Sequence, residues 1–275
     1  MDFGRAIEEL ANMVPRDPDT FTGPDGLQLC KRCGGQRQCR VALLTADLVM
    51  PCACQCMRDE QERLRKEARR MAYQARVMEN RSLGFDDKAL AEKTFAADDG
   101  ATPALTEAMK RYVQSFERMR RDGKGLLLYG DVGTGKTFLA ACVVNALIDR
   151  GYPCLMTSFT KLSQAAMGRD RKADFLDDLS RFALVAFDDL GAQRNTEYMN
   201  ETVTAAVDAL YRAKVPMIVT SNHTPKELAQ AGEMQKQRVF DRLLERCYPI
   251  KVNGPSRRKQ AGRDDFAGMR ELLGV

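Results

Sequence analysis

The run Leu126-Leu127-Leu128-Tyr129-Gly130-Asp131-Val132-Gly133-Thr134-Gly135-Lys136-Thr137 decides how this chain is read. An apolar strand passes directly into G-x-x-x-x-G-K-[ST], and the helix-forming stretch from Phe138 to Leu147 follows. Glycines at Gly130, Gly133 and Gly135 permit a tight turn in which the backbone around Thr134 aims its N–H groups at phosphate oxygens. The helix behind adds the partial positive charge of its N-terminus. Lys136 then reaches the β- and γ-phosphates, and the Thr137 hydroxyl ligates Mg²⁺. A plain glycine-rich turn would account for the glycines but not for Lys136 and Thr137, so the stretch reads as a phosphate-binding P-loop.

Working outward, the apolar run Ala183 to Gly191 is a strand carrying Asp188 and Asp189 at its C-terminal end, a Walker B pattern. Asp188 would hold the Mg²⁺ shell and Asp189 would orient or activate the attacking water. Pro216 to Thr220 predicts a neighbouring strand ending in Ser221-Asn222-His223, where Asn222 can touch the γ-phosphate or the lytic water. His223, the only histidine, reads as structural, because phosphoryl transfer needs positioning and charge more than a strong base. Further strands at Pro153 to Ser158 and Tyr248 to Val252 alternate with helical patterns at Leu162 to Met167, Phe175 to Leu179, Val203 to Leu210 and Arg238 to Leu244. This alternation predicts an α/β fold, a parallel sheet with helices on both faces. A helix over Thr106 to Phe116 directs Ala108, Met109, Tyr112, Val113 and Phe116 to the core.

The 275 residues suffice for one α/β domain and a smaller module, and 44% hydrophobic with 29% charged residues is ordinary for a globular protein. The net charge of +5 permits an acidic or nucleic-acid partner without requiring one. No apolar run approaches the roughly 18 residues of a membrane span, and Met1-Asp2-Phe3-Gly4-Arg5 lacks a signal-peptide layout, so a cytoplasmic protein without a membrane partner is expected. Six of the nine cysteines fall between Cys30 and Cys56, whereas Cys142, Cys154 and Cys247 sit in apolar segments as small buried groups. Such clustering in a reducing compartment points to metal, and with no histidine nearby the site is all-cysteine. The Cys30-Lys31-Arg32-Cys33-Gly34-Gly35 piece is similar to a zinc knuckle. Cys30, Cys33, Cys52 and Cys54 are the favoured Zn²⁺ ligands, with Cys56 and then Cys39 in reserve. A short amphipathic helix is expected over Asp2 to Val14 and short strands or turns at Val41 to Leu44 and Asp47 to Met50. From Met57 the sequence becomes a charge-laced helix running to about Arg81, with opposite charges at Glu62 and Lys66 and at Glu67 and Arg70.

Taken together, Lys93-Thr94-Phe95, G-K-G-L-L-L-Y-G-D-V-G-T-G-K-T, F-D-D-L-G-A, V-T-S-N, R-V-F-D-R-L and G-P-S-R-R resemble the AAA+ helicase loaders of the DnaC/DnaI group, including their phage counterparts. The resemblance covers most of residues 91 to 275. It implies an AAA+ ATPase that binds ATP and Mg²⁺, engages the replicative DNA helicase, delivers it onto single-stranded DNA and self-assembles on ATP. An N-terminal cysteine module that contacts the helicase is also a trait of that family. The expected organisation is a zinc-binding partner module at 1–57, a charged helical linker at 58–90 and the AAA+ domain at 91–275. Carried over by motif, Asn222 becomes sensor 1, Arg242 the arginine finger with Arg238 as second choice, and Arg258 the sensor 2 arginine, with Arg257 as its alternative. Most ATPases of this type have glutamate where Asp189 stands, so slow hydrolysis stimulated by DNA or a partner is expected. Two other readings are an IstB-type transposition ATPase, whose core motifs are very similar, and a non-catalytic adaptor switched by nucleotide.

Overall fold

The computed structural model describes residues 17–42, 47–167, 172–191, 197–230, 234–257, 269–270 and 272–273. The chain divides into two compact units, Met1–Ala72 and Tyr73–Val275. The helix expected over Asp2 to Val14 lies outside the described residues, as do Leu43 and Leu44.

In the first unit, β1 (Thr20–Thr22) and β2 (Gln28–Cys30) form one antiparallel hairpin, and β3 (Gln38–Ala42) and β4 (Asp47–Pro51) form another. The first reverses through a turn in which Gly23 donates its N–H to Leu27 O at 2.8 Å and Gly26 to Gly23 O at 3.0 Å. Among the described residues only Leu27, Cys30 and Cys54 are buried here. Apolar burial among these residues is small, and small units commonly rely on a cross-link of another kind. Helix α1 (Gln55–Leu83) begins directly after Cys54 and carries ion pairs at helical spacing, Lys66–Glu62 at 2.7 Å and Arg63–Glu60 at 2.7 Å. The boundary between the units falls within this helix.

The second unit is built on five parallel strands in the order β6 (Cys154–Ser158), β7 (Leu184–Leu190), β8 (Met217–Ser221), β5 (Gly125–Tyr129), β9 (Cys247–Lys251). Alternation along the strands divides the core. Leu126, Leu128, Leu184, Ala186 and Ile218 face one side, while Leu127, Val185, Phe187, Met217 and Val219 face the other. The first side is covered by α2 (Pro103–Gln114), α3 (Phe116–Asp122) and α4 (Lys136–Asp149), whose Met109, Tyr112, Val113, Phe116, Leu139 and Leu147 are buried there. The second side packs against α5 (Phe159–Met167), α6 (Lys172–Ser180), α7 (Glu197–Arg212) and α9 (Met234–Arg246), with Phe159 stacked on Phe187 at 4.6 Å. The short α8 (Pro225–Ala229) starts with a capping box made by Thr224 and Glu227.

The expected parallel α/β architecture is therefore present. One helix differs: the stretch expected as Thr106 to Phe116 starts earlier, with Pro103 at its first turn, and divides at Ser115 into α2 and α3.

Sequence periodicity gave no signal for Asn145. This residue is buried in α4, and its Nδ2 donates to Leu90 O at 3.0 Å, Lys93 O at 2.9 Å and Ala141 O at 3.1 Å, while its Oδ1 accepts from Arg81 Nη1 at 3.2 Å. It thereby fastens the 3-10 turn Lys88–Glu92 to the P-loop helix. Asn145→Leu keeps the volume but removes the side-chain bonds to Leu90 O and Lys93 O and the acceptor for Arg81, so unfolding free energy in urea should fall by about 2–4 kcal/mol; an unchanged midpoint would refute this role.

Candidate functional site

The P-loop lies between β5 and α4 and is clamped from both neighbouring strands. Gly130 donates its N–H to Ser221 O at 3.3 Å, and Val252 donates to Tyr129 O at 2.7 Å. Gly130 has φ 148°, and a Cβ there would collide with Val252 O, so the loop leaves the sheet only because this residue has no side chain. Gly135, at φ 99°, caps α4 and turns the first-turn N–H groups toward the cleft. Thr134 Oγ1 donates to Asp131 O at 2.9 Å and so braces the loop from within. The Lys136 ammonium is held over the loop by Gly130 O at 2.9 Å and Asp131 O at 2.7 Å.

The acids arrive from β7. Its register against β8 shifts between Phe187 and Leu190, and Asp189 adopts φ 61°. Such a bulge re-aims successive side chains at a strand end. As a result Asp188 and Asp189 both line the same cleft instead of pointing to opposite faces of the sheet. Asp188 Oδ1 accepts from Thr137 Oγ1 at 2.9 Å and from Thr220 Oγ1 at 2.6 Å. Thr220 Oγ1 in turn accepts the Asp189 N–H at 2.8 Å, and Asn222 Nδ2 donates to Asp189 Oδ1 at 3.2 Å. The sequence pattern marks Thr220 only as the end of a strand. Its role needed the register of β7 on β8, which periodicity does not carry.

The cleft holds about 480 Å³ and brings together Gly133, Gly135, Lys136, Thr137, Asp188, Asp189 and Asn222. Leu90, Val132 and Phe138 give it an apolar wall. Arg257 also lines it: its N–H donates to Gly133 O at 2.9 Å, and its guanidinium meets Asp99 at 3.1 Å and Thr102 Oγ1 at 3.2 Å. Arg258 lies outside the described residues. The structure does not bring Arg242 to this cleft. It pairs with Asp208 of α7 and lies over the Tyr211 ring at 5.7 Å. Arg238 is exposed on α9, and His223 packs beside Gly191 where a Cβ would stand.

In the first unit, the sulfurs of Cys30, Cys33, Cys54 and Cys56 all lie within 4.8 Å of one another. Cys30 Sγ and Cys54 Sγ are 3.5 and 3.3 Å from Cys56 Sγ. A tetrahedral Zn–S bond of about 2.3 Å sets sulfurs about 3.8 Å apart, so this group could hold a zinc ion. Cys56 thus takes the place that the sequence reading assigns to Cys52. The cause is local. Cys52 follows the last residue of β4, donates its N–H to Arg37 O at 2.8 Å, and sends its thiol to Gln36 O at 3.4 Å, whereas Cys56 sits in the first turn of α1 facing Cys54. Backbone N–H groups of Cys56 and Gly35 hold the Cys33 thiol down at about 6, while hydrogen bonds to the sulfurs of Cys54, Cys33 and Cys30 push Cys56 up to about 12. Four crowded sulfurs cannot all ionise without a cation among them.

A five-stranded parallel sheet with a P-loop, paired acids and a polar residue at the tip of the adjoining strand defines an AAA+ ATPase. The chain belongs to the IstB-like ATP-binding protein family, whose model matches residues 57–264. It is 28% identical over 181 residues to the replicative helicase loader DnaI of Bacillus subtilis, covering 60% of this chain and 58% of that protein. Identity to the replicative helicase loader DnaC of Escherichia coli is 28% over 152 residues, covering 53% of this chain and 58% of that protein. The chain thus spans little more than half the length of these two relatives. An ATP-binding protein of a Mycobacterium tuberculosis insertion sequence is 28% identical over 181 residues, covering 63% of this chain and 72% of its own length. Among solved structures, the fold is shared with DnaI at TM-score 0.52, 24% identity and coverage of 65% and 98%. It is shared equally with the DnaC helicase loader at TM-score 0.53, 18% identity and coverage of 61% and 100%. Among the described residues no helix is long and apolar enough to cross a membrane.

Two outcomes follow from the geometry. Cys56→Ser should lower bound zinc, measured by metal analysis of the purified chain, to less than half of about one ion per chain, while Cys52→Ser leaves it unchanged. Thr220→Val removes one hydroxyl from Asp188 and the acceptor for the Asp189 N–H, so ATP turnover should drop about 10- to 100-fold with nucleotide affinity in EDTA preserved.

Proposed function

We propose that this chain is an ATP-dependent loader that engages the replicative DNA helicase and delivers it onto single-stranded DNA. The observation that carries this reading is the continuous polar path Thr137–Asp188–Thr220–Asp189–Asn222, which links the P-loop helix to two strand ends. The resemblance of its motifs to the DnaI and DnaC loaders supports the cellular role.

The P-loop amides and Lys136 would cradle the phosphates, Thr137 and Asp188 would hold Mg²⁺, and the wall of Leu90, Val132 and Phe138 suits a purine ring. When bound, Mg²⁺ neutralises charge that develops on the phosphate oxygens. Asp189, oriented by Asn222 and by its own backbone bond to Thr220, positions the attacking water. A carboxylate one methylene shorter than glutamate reaches less far into the cleft, which makes hydrolysis slow until DNA or a partner adjusts the site. Arg257 joins the cleft as a stabiliser of phosphate charge, alongside the assignment of Arg258 as sensor 2. Arg242, outside its own cleft, serves a neighbouring subunit when copies assemble on ATP. The cysteine unit at 1–57, with Zn²⁺ on Cys30, Cys33, Cys54 and Cys56, forms the partner-binding module; residues 58–90 link it to the AAA+ domain at 91–275.

A second reading, a helper ATPase of transposition, is favoured by the family model and by the insertion-sequence relative. The two separate on their partner. Tagged chain mixed with the purified host replicative helicase should retain it on affinity resin and transfer it to single-stranded DNA in an ATP-dependent way. Lys136→Ala and Asp189→Asn should each abolish transfer. Absence of helicase retention with and without ATP would leave the transposition reading standing, and full transfer by both variants would remove the role of ATP.

A further inference from the structure

Helix α1 carries a feature that the nucleotide site does not use. From Gln61 to Arg76 every residue is exposed, and no residue of the helix is buried. Val77 packs on the core of the second unit and Tyr73 donates to Asp149 O, yet four other large apolar residues recur at an interval of seven: Met57, Leu64, Met71 and Met78. Leu64, Met71 and Met78 are 52%, 70% and 74% exposed. Four residues after each of the first three stand Gln61, Ala68 and Ala75. In heptad notation the four large residues occupy d and the other three occupy a, giving a narrow seam along one side of the helix. A solvated connector held by i,i+4 ion pairs has no need of such a seam, and exposed apolar residues on a charged helix are costly in water unless they are covered.

The flanking charges say what covers it. The e positions of the first two heptads are Arg58 and Arg65, and the matching g positions are Glu60 and Glu67. In a parallel, in-register pair each g residue faces the e residue five positions later on the other helix. That sets Glu60 against Arg65 twice by symmetry, and Glu67 against Ala72, with no like charges opposed. Arg65 has no carboxylate partner among the described residues, while the carboxylate of Glu60 is shared only with Arg63 of its own helix. The antiparallel alternative would place Glu60 against Arg81, which is already bound to Asp149. Small residues at a let two backbones approach closely, and the single polar Gln61 at a fixes the register.

We propose that α1 pairs with α1 of a second copy of this chain as a parallel, in-register coiled coil over Met57 to Met78, and that this pairing needs no nucleotide. It is independent of the ATP site and of the helicase reading, so either can fail without the other.

The test is analytical ultracentrifugation of the full chain without nucleotide. Wild type should sediment as a dimer at micromolar concentration. Leu64→Glu with Met71→Glu should yield a monomer, and because both side chains are exposed, the circular dichroism melt and ATP binding should stay at wild-type values. Glu60→Arg and Arg65→Glu, made singly, should each weaken the dimer at least about tenfold by opposing like charges, and the two together should restore it. A monomeric wild type, a dimer that survives the seam variants, or a double charge swap that fails to restore pairing would each overturn the proposal.

Discussion

One carboxylate oxygen ties the catalytic half of this protein together. Asp188 Oδ1 receives the hydroxyl of Thr137 from the first turn of α4 and the hydroxyl of Thr220 from β8, so elements 51 and 32 residues from it in sequence converge on a single acceptor. The convergence depends on the strand order. Because β8 lies between β5 and β7, the loop that follows β5 and the acids that end β7 open on either side of the tip of β8. There Thr220 and Asn222 bond the acids while the Ser221 carbonyl accepts the Gly130 N–H of the loop. Moving β8 elsewhere in the sheet would leave the P-loop and the acids without a common neighbour.

The rest of the second unit serves to keep those strand ends in place. Two apolar layers, one beneath α2 and α4 and one beneath α5, α7 and α9, bury both faces of the sheet. Burial on both faces resists any slip in strand register, because a shift of one residue would exchange the two layers. The one local departure from register falls at Asp189, where it turns a second carboxylate into the cleft. A regular strand would have directed it to the opposite face. The irregularity is thus part of the site's construction and is held by the hydroxyl of Thr220.

The first unit obeys a different constraint. Its hairpins bury few apolar residues, and its order centres on four sulfurs drawn from a tight turn and a helix start. The second unit builds its cleft upon a core. In the first, the cluster stands where a core would be.

How far these features were legible in the sequence depends on the range of the interactions that make them. The P-loop, the acid pair, Asn222 and the alternation of strand and helix are local patterns, in which spacing along the chain already implies spacing in space. By themselves they determined the parallel α/β class and the residues to look for around the phosphates. The ligand set could not be chosen that way, since Cys52, Cys54 and Cys56 stand at equal intervals and only the turn from β4 into α1 decides which sulfur faces Cys30. Thr220 and Asn145 were equally silent, because their partners lie 32 and 52 to 64 residues away in the chain, and the choice between Arg257 and Arg258 was open because the Thr102 partner of Arg257 lies 155 residues away. Sequence determined which chemistry this protein carries; tertiary structure decided which atoms share it, because hydrogen bonds and sulfur clusters form between groups that only folding brings within 3 to 5 Å.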